Sequence, residues 1–237
     1  VPDEDEDTLL AAGVAKVFHP GGALEDIAQF IRGITPVLRA RRGKLAALEA
    51  GVATPETKVS CPGHIEFGER RFHCWKRAGH GTVRLERSLS ESCDVYYYDV
   101  AQKVGIEKIA EVGRKLGLGQ KFDIPMSAVT EGKMPDKAWL LERYKQEWRI
   151  GDTINASIGQ GYVLASPLQL AVMTARIASG RSVSPRLVRM VNDQELPAAE
   201  APPLDISPEY LAAVRKGMHE VVNGEHGTAK SSRVVEP

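Results

Sequence analysis

The sequence predicts a mixed α+β fold, and three features carry that expectation. Several stretches repeat apolar residues at helical spacing between clear start and stop signals, most plainly "SPLQLAVMTARIASG" at 166–180. A short strand-like run, "TKVSCPG", leads into a glycine-rich stretch at 62–82 with little helical period. At 237 residues, 43% hydrophobic and 26% charged, the chain is long enough for one large domain or two small ones with a buried core.

Residues 1–43 carry an acidic tip, a Gly21-Gly22 turn, the amphipathic run "ALEDIAQFIRGI" and the basic "RARRGK"; no element is assigned to them, and Arg39, Arg41 and Arg42 read as a solvated basic run. "KLAALEAG" reads as the end of a helix, with Gly51 at the residue past its C-cap. "TKVSC" is a strand entering a turn, and 62–82 a loop or small hairpin. From Val83 the pattern is helical through "VRLERSLSESCDVYYYDVAQKVG", with a break near Ser92, and again through "IEKIAEVGRKLG" to Gly117. Tyr96, Tyr97 and Tyr98 are expected to pack around their helix. Residues 119–150 read as a long polar connection. The helix after Ser166 has an S-x-x-Q capping box (Ser166, Gln169), Pro167 at its first position and Gly180 as terminator; it is apolar nearly all round and so is expected inside the domain, packed on both sides. "RLVRMV" reads as a strand, "PAAEAPPL" as a connector, and "SPEYLAAVRKGMHEVVNG" as a final helix opened by Ser207-Pro208 and closed by Gly224.

Lys plus Arg and Asp plus Glu both total 31, so bulk charge gives no support to a nucleic-acid or anionic-membrane partner. No run approaches 18 apolar residues and the start is acidic, so neither a membrane span nor a signal peptide is expected in these residues.

Cys61, Cys74, His80 and Cys93 have the spacing C-x12-C-x5-H-x12-C and use all three cysteines of the chain. Three thiolates and an imidazole form a closed tetrahedral zinc set that leaves no position for water, which argues for a structural rather than a hydrolytic metal. Cys61 precedes Pro62-Gly63, and His80 sits between Gly79 and Gly81, so the backbone can turn each ligand inward. Lys76 and Arg77 favour thiolates electrostatically. The competing reading is three ordinary buried thiols, or one disulfide, beside a surface histidine. His64 and His73 lie in the same loop and are alternatives to His80.

The segments "CWKRAGHG", "ESCDVYYYDVAQKVGI", "GDTINASIGQGY" and "SPLQLAVMTARIASG", in this order, resemble the transpeptidase domain of the class B penicillin-binding proteins, in particular the penicillin-binding protein 2 group, from Lys44 to roughly Thr228. The resemblance implies the serine β-lactamase and penicillin-binding transpeptidase fold, a helical lobe beside a five-stranded antiparallel sheet. It implies peptidoglycan D,D-transpeptidation at the periplasmic face of the cytoplasmic membrane, with stem peptides and β-lactams as ligands and membrane proteins of wall elongation as partners. The family divides its chemistry among S-x-x-K, S-x-N or a variant, and K-T-G or K-S-G. Ser92-Cys93-Asp94 falls at the second motif, where Ser92 would shuttle a proton and Asp94 would replace the more usual asparagine. Trp75 is expected to shield the metal loop or line the cleft.

Two motifs are not matched. No serine is followed three residues later by lysine; Val37-Leu38-Arg39-Ala40 stands where S-x-x-K is expected. Lys230-Ser231-Ser232 has serine where the third motif needs glycine. Loss of a catalytic nucleophile costs on the order of 10⁶ in rate, so the expectation is a partial transpeptidase domain over 44–237, with a metal-binding loop at about 60–93, an incomplete sheet and no activity of its own. The alternative is a non-catalytic, zinc-stabilised module that binds stem peptides or partners in wall elongation.

Overall fold

The computed structural model describes residues 42–125, 129–197 and 199–233. Residues 42–49 are helical (α1) and end at Gly51, whose φ of +64° suits glycine. Leu45, Ala46, Ala47 and Leu48 are all buried, so this helix runs through the core. Arg42 is buried too, its guanidinium donating to the Ala156 carbonyl. The solvated basic run is therefore corrected at this residue: the helix carries Arg42 inward, to a carbonyl at a helix end. Residues 1–41, with the nucleophile position, lie outside the described residues.

Strand β1 (Val59–Cys61) pairs antiparallel with β4 (Gly81–Val83). Between them, β2 (His64–Phe67) and β3 (Arg70–His73) form the hairpin read from the glycines. Val83 belongs to this ladder, opposite Val59, so the helical pattern begins two residues later than its apolar spacing suggests. Helix α2 (Leu85–Ser90) ends at the predicted break, where Ser92 takes a φ of +51°. The tyrosine helix α3 (Asp94–Val104) follows, then α4 (Ile106–Lys115).

The connection at 119–150 is not all loop. Asp136 caps α5 (Lys137–Tyr144) by accepting from the Trp139 N–H, and α6 (Ile150–Ser157) begins at its end. Helix α7 (Pro167–Ser179) has the predicted capping box and a left-handed Gly180. It buries one face, through Leu170, Val172, Met173 and Ile177, not both sides. Ala171, Ala175 and Ala178 occupy its exposed face; small apolar residues gave the all-round pattern without needing burial. Of "RLVRMV" only Met190–Val191 (β5) is strand, pairing with Gln194–Glu195 (β6) across Asn192-Asp193. Beyond that pair the Leu196 N–H donates to the Arg189 carbonyl at 2.8 Å, and the predicted strand goes no further. Helix α8 (Pro208–Asn223) packs on α2, and a Cβ at Gly217 would come within 2.4 Å of Leu89.

The described residues thus form a mixed helix and strand domain whose sheets are small antiparallel pairs. One apolar cluster joins α1, β1, β4, α3, α4, α6, α7 and α8. No helix among the described residues is long and apolar enough to cross a membrane.

Candidate functional site

The first ladder, the hairpin and α3 converge on one point. Cys61 ends β1, Cys74 follows β3, His80 precedes β4, and Cys93 is the residue before α3. All four are buried, and their ligand atoms lie within 4.8 Å of one another. His80 Nδ1 stands 3.6 Å from Cys61 Sγ and 3.4 Å from Cys74 Sγ. Zinc bonds of about 2.3 Å to sulfur and 2.0–2.1 Å to nitrogen put tetrahedral N and S ligands about 3.6 Å apart, so these residues fit the ion with slight contraction. His80 is the histidine brought to the thiols. His64 and His73 face each other on the hairpin instead.

Two glycines make this convergence sterically possible. A Cβ on Gly63 would meet the Arg77 carbonyl oxygen at 2.1 Å, and one on Gly79 would meet that of Cys61 at 2.2 Å. Both have positive φ, +99° and +79°. The arms carrying Cys61, Cys74 and His80 therefore approach at backbone distance, which only glycine permits. The Cys74 N–H donates to the Gly63 carbonyl at 2.8 Å.

A hydrogen bond from Cys93 pulls the Cys74 thiol down to about 4, against the opposing effect of burial, while the same bond and burial push Cys93 up. The pair thus holds one thiolate readily, the state in which cysteine binds metal. His80 Nε2 is buried and has no hydrogen-bond partner among the described residues. The Trp75 ring meets His80 edge-on at 5.5 Å, and the tryptophan remains 57% exposed.

Around Cys93 the Ser92-Cys93-Asp94 segment is held from both sides. The Trp75 N–H donates to an Asp94 carboxylate oxygen at 2.9 Å, and its indole N–H to the Glu91 carbonyl at 3.0 Å. Burial raises the Asp94 carboxyl to about 6. Ser92 lies between these anchors, its hydroxyl 2.6 Å from Thr228 Oγ1, and Thr228 N–H donates to the Ser90 carbonyl at 3.1 Å. Lys230–Ser232 forms a single 3-10 turn. Sequence reasoning did not single out Glu91, fixed by Arg87 at 2.5 Å, or Thr228. The first was readable as an i,i+4 pair; the second meets Ser92 only through the fold.

Residues 44–236 match the penicillin-binding protein transpeptidase domain, and the chain belongs to that family. Within it, the resemblance is to the penicillin-binding protein 2 type. The chain is 35% identical over 196 residues to the peptidoglycan D,D-transpeptidase MrdA of Haemophilus influenzae, an alignment covering 79% of this chain and 30% of that protein. The crystal structure of Pseudomonas aeruginosa PBP2 in complex with WCK 5153 superposes with a TM-score of 0.74 at 34% identity, covering 84% of this chain and 43% of that one. Helicobacter pylori PBP2, solved in a complex with MreC, gives 0.73 at 35% identity, with 82% and 36% covered. The chain spans about 30% of the length of its curated MrdA relative.

Proposed function

We propose that this chain is the helical part of a peptidoglycan D,D-transpeptidase of wall elongation, in which Cys61, Cys74, His80 and Cys93 hold a structural zinc that fixes the second catalytic motif. The observation that carries this reading is the position of Cys93: it is at once a member of the buried cluster and the central residue of Ser92-Cys93-Asp94. When bound, zinc supplies four bonds that tie β1, the hairpin and the start of α3 into one unit. Trp75 then anchors both sides of Ser92, through the Glu91 carbonyl and the Asp94 carboxylate, and Arg87 holds the Glu91 carboxylate. The Ser92 hydroxyl is positioned by its short contact with Thr228, and Asp94, committed to the Trp75 N–H, acts mainly as an anchor. Three thiolates and one imidazole would fill the four positions of a tetrahedral zinc, which supports a structural rather than a hydrolytic role.

With no S-x-x-K serine in the sequence, the chain itself does not acylate. Its setting is the periplasmic face of the cytoplasmic membrane, with stem peptides and β-lactams as ligands of the enzyme type. Membrane-associated proteins of elongation are its proposed partners, supported by the relative solved with MreC.

Two measurements test this. Elemental analysis is expected to find about one zinc per chain, lost in Cys74→Ser together with a drop in melting temperature. Metal-free protein with unchanged melting removes the zinc reading. A fluorescent penicillin is expected to leave the chain unlabelled after denaturing electrophoresis, and covalent labelling contradicts the assignment of the missing nucleophile.

A further inference from the structure

The two histidines left out of the buried cluster occupy a specific position. The bond from Cys74 N–H to the Gly63 carbonyl makes Gly63 and Cys74 a hydrogen-bonded pair of the hairpin. His64 and His73, next in register, are therefore a non-hydrogen-bonded pair, the type in which opposing side chains approach most closely. Their ring centroids are 6.0 Å apart and the rings are tilted by 50°. Alternation along the strands puts Glu66 and Arg71 on the same face. Glu66 is two residues from His64 and diagonal to His73, and Arg71 now holds its carboxylate at 2.5 Å. His64 is half-buried and His73 exposed.

We infer that His64 and His73, with Glu66 as a third donor, form a second zinc site on the open face of the hairpin. Two imidazoles and a carboxylate are a standard donor set for a borderline divalent metal. Unlike the Cys61/Cys74/His80/Cys93 cluster, this set lies at the surface, so water completes the coordination and the ion exchanges with solvent. The three donors do not converge as the four buried ones do, so the ion would draw the ring nitrogens together by side-chain rotation, and Glu66 would join by exchanging its contact with Arg71. Arg71, and Arg77 at the foot of the hairpin, oppose a cation there. The site is therefore weak beside the thiolate cluster. Bound metal would clamp the hairpin at the pair adjoining Cys74, reinforcing the arm that delivers that ligand.

The test is calorimetric titration of the purified full chain with zinc chloride, its resident metal first counted by elemental analysis. One further, weaker equivalent is expected. Either His64→Asn or His73→Asn should abolish it while leaving the resident zinc and the circular dichroism spectrum unchanged. Arg71→Ala, which frees Glu66, should tighten it, and Glu66→Gln should weaken it. Absence of a further equivalent, or its persistence in both histidine variants, overturns the inference. A chain purified without resident zinc that still takes up one histidine-dependent equivalent would overturn the buried-cluster reading and leave this one standing.

Discussion

Lys44 carries an ammonium into the core. Its Nζ donates to Ser88 Oγ at 2.7 Å and lies 4.1 Å from the centre of the Tyr97 ring and 5.3 Å from that of Tyr96. Burial dominates and lowers its pKa well below the ordinary lysine value, with Cys93 opposing the shift. Between the lowered folded-state value and the ordinary one, the unfolded chain holds more protons than the folded chain. This residue therefore makes stability rise with pH across that window and contributes no slope below it. Lys44→Met is expected to leave stability unchanged or raise it by about 1–4 kcal/mol at pH 7, and to flatten the rise on the alkaline side, as read by urea unfolding at several pH values. Ser88 still donates to the Leu85 carbonyl at 2.7 Å, so the change strands no hydroxyl proton. A variant clearly less stable than the parent would show that the aromatic cradle outweighs desolvation. Nothing in the order of residues marked Lys44 or Arg42 as buried. Charge predicts exposure one residue at a time, and only the position of α1 in the core reverses it.

The hairpin and the turns around the Cys/His cluster are where sequence and structure agree most closely, because their constraint is local. Glycine at 63 and 79 is demanded by backbone contact, and the same glycines made the stretch legible as a turn-rich excursion. Gly79→Ala is expected to abolish zinc retention and to destabilise by roughly 2 kcal/mol or more, since it combines left-handed strain with a backbone clash. Gly68→Ala at the hairpin tip, with φ of +57° and nothing within 4 Å of its Cβ, should cost about 1–2 kcal/mol and keep the metal. Equal zinc loss in the two variants would show that backbone strain alone, without the close approach, governs the site. Elements decided by distant partners were less readable. Helix α6, "IGDTINAS", contains glycine, threonine, asparagine and two β-branched isoleucines, all modest or poor helix formers; packing against α3 supplies what propensity lacks. "RLVRMV" has strand composition but only two paired residues, because a strand also needs a neighbour. The capping box of α7 was readable because its partners are three residues apart.

Over the whole molecule, the family could be read from motifs in order, while the relation of the motifs to one another depended on the fold. Spacing, residue chemistry and the glycines beside His80 suggested the Cys61/Cys74/His80/Cys93 set, and the fold brings those four side chains together while His64 and His73 face each other on the hairpin. Ser92 was placed by its neighbours, but its contact with Thr228 spans 136 residues and left no local trace. That contrast has a consequence for how the chain assembles. Residues 61–93 hold all four members of the Cys/His cluster, so closing that span costs less entropy than bringing Thr228 to Ser92, which closes most of the domain. Pulse-labelling hydrogen exchange during refolding with zinc should therefore protect the amides of Cys74 and Trp75 before that of Thr228, and simultaneous protection would contradict this order. In that order the turn holding Ser92 takes its shape with the Cys/His cluster, before the far end of the chain reaches it.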